Sequence, residues 1–258
     1  MGNDNPWADE FAVVTGASGS IGAAIADHLA RLGARVGASD LTERAAAPVG
    51  DRRAFASVDV RRSAEVDAWI ANLDRRWGSP TIGIICAGIS RAGRLIETSD
   101  ADWASVIDVN LTGAFYSARA VIRRMVAAGR GGRIVFVGSW AAHSPHPHIG
   151  AYSASKAGLR ALAQTLALDH AADGILVNEV APGIVDAGVS AQLFRSDPAL
   201  ERRTRAAIPD GSLISPDDVA RDVAFLCSPD NRHTTGAVLV SDGGLSLASN
   251  MNPGTHRT

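Results

Sequence analysis

The sequence predicts an α/β fold, a doubly wound, parallel seven-stranded sheet in a single domain spanning residues 1–258. Three observations carry this expectation. Short apolar, β-branched runs alternate with longer helical stretches from end to end. The first run leads at once into a glycine-rich turn, and the second ends in an acidic residue, Asp40. Regular alternation of strand and helix is the pattern of parallel strands joined by right-handed crossovers.

The expected strands, in order, are Phe11–Thr15, Arg35–Ser39, Arg53–Val58, Ile82–Cys86, Arg133–Gly138, Leu176–Ala181 and Val238–Ser241. Several are continuously apolar, as in Ile82 to Cys86, which suits strands covered on both faces. Helices are expected over about 20–33, 62–77, 100–128, 151–173 and 215–228. The 151–173 segment is apolar on most sides, being built from Ala, Leu and Gly. A helix of that kind is buried on most sides. Either a second subunit covers it, or the 100–128 helix does so alone. The core is expected over about 9–248, and the polar ends 1–8 and 249–258 are expected to be loosely ordered.

Net charge is −2, which argues against a nucleic-acid surface or a basic membrane-binding helix. The two cysteines, Cys86 and Cys227, form no spacing motif, so neither a disulfide framework nor a cysteine zinc site is implied. No stretch reaches the apolar length that spans a bilayer, and no secretory core opens the chain. A soluble, cytoplasmic protein is the expectation.

The turn Thr15-Gly16-Ala17-Ser18-Gly19-Ser20-Ile21-Gly22 permits close approach of a pyrophosphate to free amides at a helix N-terminus. By itself it is equally a structural β–α turn. Eighteen residues beyond Gly22, Asp40-Leu41 ends the second strand. An acidic residue there can hold ribose hydroxyls and repels a 2′-phosphate, so NAD is favoured over NADP. Neither Gly19 nor Leu41 is basic, which points the same way.

Of the 25 basic residues, 24 are arginine, and the one lysine, Lys156, stands four residues after Tyr152. On a helix the two share a face, about 6 Å apart along the axis. A phenol needs a downward shift of roughly 2–3 units from ~10 to act as a base near neutrality. A cation about 4–5 Å away supplies about 3–4 kcal/mol at an effective dielectric of ~20, which is the same size. An exposed pair sharing one face by chance has the same spacing.

Taken in order, these residues resemble the classical short-chain dehydrogenase/reductase family over nearly the whole chain. Besides the Gly-rich turn, the resemblance rests on Asp59-Val60, Ala87-Gly88, Asn110 within Val109-Asn110-Leu111-Thr112-Gly113, Ser139, Tyr152 with Lys156, Pro182-Gly183 and Asp242-Gly243-Gly244. It implies a Rossmann-like fold and a catalytic set of Asn110, Ser139, Tyr152 and Lys156. Tyr152 would be the general acid/base, Lys156 would tune it and hold the nicotinamide ribose, Ser139 would orient the substrate oxygen, and Asn110 would organise a water relay. The cofactor would be held by Gly16, Ser18, Ser20, Ile21, Gly22, Asp40, Leu41, Asp59, Val60, Ala87, Gly88, Tyr152, Lys156, Pro182, Gly183 and Val185. The family pattern fails at three positions: Ser20 stands where a glycine is usual, Cys86 replaces an asparagine that ties neighbouring strands, and Ala187 replaces a threonine near the carboxamide. Weaker cofactor affinity is expected from these departures.

In the family the segment after Ser139 borders the substrate, which nominates Trp140 and His143. Arg91 and Arg195 are candidates for an anionic group on the substrate, Arg195 lying in an expected lid at about 186–212. His143, His146 and His148 form a histidine cluster, but prolines restrict it and no carboxylate joins it, so no metal site is expected. The implied activity is hydride transfer between NAD and a secondary alcohol or carbonyl, with a polyol or sugar (in one form anionic) as the small-molecule substrate. A homotetramer, or a dimer, is implied through the 100–128 and 151–173 helices. The rivals are a 3-oxoacyl-thioester reductase of the same fold and a non-catalytic nucleotide-binding scaffold.

Overall fold

The computed structural model describes residues 5–42 and 51–248. Seven parallel strands form one sheet in the order β3-β2-β1-β4-β5-β6-β7. They are β1 Phe11–Thr15, β2 Arg35–Asp40, β3 Arg53–Ser57, β4 Ile82–Ile85, β5 Gly132–Val137, β6 Ile175–Pro182 and β7 Val238–Ser241. All seven expected strands are present, with ends shifted by a residue or so.

Apolar runs become double-faced strands because successive side chains point to opposite sides. Phe11, Val13, Ile134 and Phe136 enter one core with α2 (Ser63–Trp77), α4 (Gly113–Ala128) and α5 (Gly150–His170). Ala12, Val14, Val135 and Val137 enter the other with α1 (Ser20–Leu32) and α8 (Pro216–Cys227). Strand order reverses between β1 and β4, and such a switch point leaves a crevice outside the carboxyl ends of the strands. The glycine turn opens there.

The expected helix 100–128 is not continuous. It divides into α3 (Asp100–Ile107), a π-turn at Asp108–Thr112 and α4. The apolar spacing on either side is helical, so one extra residue in a turn leaves no periodic trace. Between β6 and α8 lie two helices that the sequence pattern did not resolve, α6 (Gly188–Ser196) and α7 (Pro198–Ala207). Their docking forms a third cluster of Phe194, Ile208 and Leu213 on Trp140 and on Leu245 of α9 (Leu245–Ala248). The N-terminus is more ordered than expected from Asn5 onward. Asn5 Nδ2 donates to Leu32 O at 2.7 Å and Trp7 is buried. The expectation for residues 1–4 and 249–258 lies outside the described residues.

No helix among the described residues is long and apolar enough to cross a membrane. On α5 the burial is one-sided within a single chain. Leu159, Ala163 and Ala167 face the core, whereas Ala154, Ala157, Ala161 and Leu168 are exposed. The neighbouring α4 helix therefore does not cover this helix alone.

α8 starts on a reciprocal cap. The Asp218 amide donates to Ser215 Oγ at 3.1 Å, and the Asp218 carboxylate accepts from the Ser215 amide. That pair orients the helix that closes one core, and it satisfies two otherwise orphan donors. Ser215→Ala is expected to lower stability by about 1 kcal/mol, read as a fall of about 2–4 °C in the midpoint of thermal unfolding.

Candidate active site

At the switch point the glycine turn brings two strand ends into backbone contact. Gly16 has φ of 71°, and a Cβ on it would lie 2.7 Å from Ala87 Cα. A Cβ on Gly22 would overlap the Gly16 carbonyl. The departure at Ser20 therefore leaves the turn intact. Gly19 caps α1 in extended conformation, while Ser20 is exposed in the first turn. No side-chain cap or acidic residue occupies that helix end, and Ile21 packs partly into the core. This concave surface of small residues and uncapped amides fits a pyrophosphate.

Asp40 closes β2 beside the turn. Its carboxylate accepts from the Ser18 amide at 2.9 Å and the Leu41 amide at 2.7 Å, which holds it across the mouth. Ser18 Oγ donates to Thr42 O, so this side chain braces the turn. Val60 is buried against Gly113, and Leu41 is exposed. Asp59 is held below the usual carboxylate range, chiefly by a side-chain hydrogen bond from Arg61, which reaches it at 2.7 Å. Asp59 is thus already paired with Arg61.

At Cys86, where the asparagine amide is lost, a backbone tie to β1 is present. Thr15 Oγ1 accepts from the Cys86 amide at 3.0 Å and the Ala87 amide at 3.2 Å, tying β1 to β4 without an asparagine. Burial pushes the Cys86 thiol up to about 12, so the sulfur is an inert neighbour. Gly183 lies against Asp242, after Pro182 at the end of β6, and donates to Ser241 O at 2.8 Å. Val185 pairs with Ile214, and Ala187 caps α6.

Lys156 and Tyr152 share one face of α5, as their spacing requires. The lysine is 4% exposed, its Nζ donating to Val137 O at 2.8 Å and lying 5.6 Å from the Tyr152 ring centre. A Cβ on Gly88 would lie 3.5 Å from the same Nζ. No carboxylate pairs with Lys156 among the described residues. Ser139 lies two residues past β5, where it caps the 3₁₀ turn Trp140–Ala142, and is buried, its Oγ accepting from the Ala141 amide at 3.2 Å. Asn110 sits in the π-turn, fully buried. It accepts from the Ile89 amide at 2.8 Å and donates to Ile89 O at 2.9 Å and to Ser155 Oγ at 3.0 Å. Ser155 donates to Tyr152 O at 2.7 Å. The four expected catalytic residues are thus brought together around the ends of β4 and β5.

The substrate candidates divide. Trp140 is 8% exposed and packs under Phe194 of α6, so it anchors the covering helices. Arg91 lies 3.6 Å from Asp102, whereas Arg195 is exposed on the last turn of α6 with no ion-pair partner among the described residues. His143 Nδ1 meets Arg160 Nη1 at 3.0 Å. Because a guanidinium only donates, Nδ1 accepts and the ring proton is on Nε2. The histidine cluster gathers no metal-ligand set among the described residues. Sequence reasoning missed Thr15 as a strand tie, Ser155, Arg160 and Glu179. Only Glu179 left a signal, a carboxylate beside Asn178 in a strand whose other residues are apolar.

Comparison with known proteins agrees with this geometry. The family profile described as Enoyl-(Acyl carrier protein) reductase matches residues 16–246. The chain is 36% identical to 3beta-hydroxysteroid dehydrogenase 1 of Eggerthella lenta, covering 91% of this chain and 93% of that protein. It is 38% identical to cis-4-hydroxycyclohexanecarboxylate dehydrogenase of Sinomonas cyclohexanicum, covering 92% and 97%. A 3-oxoacyl-(acyl-carrier-protein) reductase of Vibrio cholerae is 33% identical over 92% of this chain and 98% of its own. The structure is similar to a short-chain type dehydrogenase/reductase from Mycobacterium marinum, with a TM-score of 0.86 at 26% identity over 93% and 97% of the two chains. The chain belongs to the short-chain dehydrogenase/reductase family, oxidoreductases that act on CH–OH groups with a nicotinamide cofactor.

His143 has a lowered pKa, first because burial disfavours its charged form and second because Arg160 is beside it. The unfolded chain therefore takes up this proton first. Stability present above about pH 6.5 should be lost as pH falls through that value towards the folded pKa. His28 is shifted the same way. The share due to His143 is the part of the pH dependence of thermal unfolding that disappears in His143→Gln, which keeps an acceptor for Arg160.

Proposed function

We propose that this chain is an NAD-dependent dehydrogenase that oxidises a polar secondary alcohol, a polyol or sugar, including forms that carry an anionic group. The observation that carries the reading is the buried Lys156 ammonium, set against the Tyr152 ring and a backbone carbonyl without a carboxylate to neutralise it. Tyr152 is assigned as the proton acceptor from the substrate hydroxyl, and Ser139 as a hydrogen-bond partner that orients the same oxygen. Lys156 is assigned to hold the nicotinamide ribose hydroxyls, beside the Tyr152 ring. Asn110, whose side-chain amide is engaged with Ile89 and Ser155, is assigned to a proton relay. When bound, the nicotinamide supplies the hydride acceptor, and the protein contributes position and electrostatics.

The assigned cofactor contacts are the amides of Ser20, Ile21 and Gly22 towards the pyrophosphate, with Gly16 permitting its approach and Ser18 bracing the turn. Asp40 and Leu41 take the adenosine ribose, and Asp59 and Val60 border the adenine. Ala87 and Gly88 would border the nicotinamide ribose, and Pro182, Gly183 and Val185 the nicotinamide ring. Among the described residues beside Asp40, namely Ser18, Leu41 and Thr42, none is basic, which supports NAD. The hydroxy acid named for the Sinomonas relative supports the anionic option, with Arg195 as an exposed cation that has no ion-pair partner among the described residues. Residues 186–212 are assigned as a substrate lid on Trp140. Exposed Phe115, Val126 and Leu168 on α4 and α5 support assembly as a homotetramer or dimer. Two free thiols suit the reducing cytoplasm. The thioester-reductase reading draws support from the Vibrio relative, and a preference for NADPH with an acyl thioester would favour it.

NADH formation from a panel of polyols, aldoses, sugar acids, cyclic hydroxy acids and hydroxysteroids tests this reading. Cofactor binding with no turnover on any of them, in either direction, would favour the scaffold. Lys156→Arg is expected to reduce kcat on the order of 10²-fold or more, because a planar fork replaces a slim ammonium. Near-normal turnover would remove Lys156 from its assigned role. Asp40→Ser is expected to raise kcat/KM with NADP relative to NAD by about tenfold or more through loss of like-charge repulsion. An unchanged ratio would place the discrimination elsewhere.

A further inference from the structure

α5 carries three long polar side chains at four-residue steps: Tyr152, Lys156 and Arg160. The third is not part of the assigned chemistry. Arg160 Nε and Nη2 each donate at 3.1 Å to the two oxygens of Glu179, a bidentate pair whose carboxylate is 1% exposed. Glu179 comes from β6, opposite Phe136 of β5. Its carboxylate packs so closely on Gly138 that any Cβ there would overlap Oε1. Arg160 Nη1 continues to His143, the residue that ends the 3₁₀ turn following Ser139.

We propose that Arg160 and Glu179 are positioning residues that set Ser139 relative to Tyr152. The inference rests on the roles assigned above to those two side chains. The strand end is held at three successive points: Val137 O by Lys156, Gly138 by the Glu179 carboxylate, and His143 by Arg160. Two of these holds come from the same helix as Tyr152, so the ruler that spaces them is α5 itself. A buried ion pair is a weak source of net stability, since desolvation offsets its Coulomb attraction, and apolar residues of similar volume often replace one without loss. What the pair supplies is direction, because a bidentate fork fixes distance and angle together.

The test compares Arg160→Met, the double variant Arg160→Met/Glu179→Leu, and His143→Ala. Arg160→Met strands a buried carboxylate and should lose thermal stability, whereas the double variant should recover it. The expected result is that the double variant keeps its NADH affinity within about twofold while kcat falls by about 10²-fold. A purely structural pair would instead let kcat return with stability. Amide hydrogen exchange over residues 138–149 should accelerate about tenfold in the double variant, and to a smaller degree in His143→Ala, with α5 unchanged. Wild-type exchange in that segment, or kcat restored along with stability, would overturn the proposal. A wild-type enzyme that turned over nothing on the panel would count against the function proposed above, while the exchange measurement would still decide the positioning.

Discussion

A buried ammonium with no carboxylate partner among the described residues is the constraint around which this molecule is arranged. Lys156 is 4% exposed, and burial of a charge is expensive unless oxygen atoms replace water. Val137 O supplies one such atom, so β5 has to end where its carbonyl meets α5. These requirements explain why a chain that uses arginine 24 times keeps one lysine. A guanidinium is wider and brings five donors that this slot does not satisfy. The charge left over is what the proposed chemistry uses.

The second constraint is backbone approach at the switch point of the sheet. Gly16 and Ala87 touch because β1 and β4 are neighbours whose following segments depart to opposite faces. Thr15 reinforces this junction with a hydroxyl that accepts from two amides of the β4 end. The same two strand ends therefore shape the cofactor crevice and support Gly88 beside Lys156. Loss of the usual asparagine at Cys86 is tolerated because the tie comes from the opposite strand.

Strand and helix positions, the glycine turn, Asp40 and the Tyr152–Lys156 face were all readable from the sequence, because each rests on short-range spacing. What was not readable depends on long-range meetings. The π-turn at Asp108–Thr112 adds one residue to a helix whose apolar pattern is otherwise regular. Arg160 and Glu179 are 19 residues apart on different elements, and the packing of α5 on β6 brings them together. Trp140 looked like a substrate contact because of its place after Ser139, yet α6 and α7 cover it. Those two helices lay in a segment whose arginines are spaced as a solvated face and whose few apolar residues became legible only once Trp140 offered them a surface.

The position of α5 ties these threads together. On its inner side, Lys156 and Arg160 fasten it to the ends of β5 and β6 through polar contacts that have direction. On its outer side it presents Ala154, Ala157, Ala161 and Leu168, a surface whose small side chains permit close approach and impose no angle. A second chain packed on that surface, as the proposed assembly requires, would press the helix inward without rotating it. Rotation and register are then left to the inner polar contacts. A hydrophobic interface alone would tolerate small slips of α5, and a slip of one ångström would separate Tyr152 from Ser139 enough to slow a proton transfer about 10²-fold. Directional polar contacts on one side and non-directional apolar contacts on the other are therefore complementary solutions to a single demand, that one helix keep its register against one strand end.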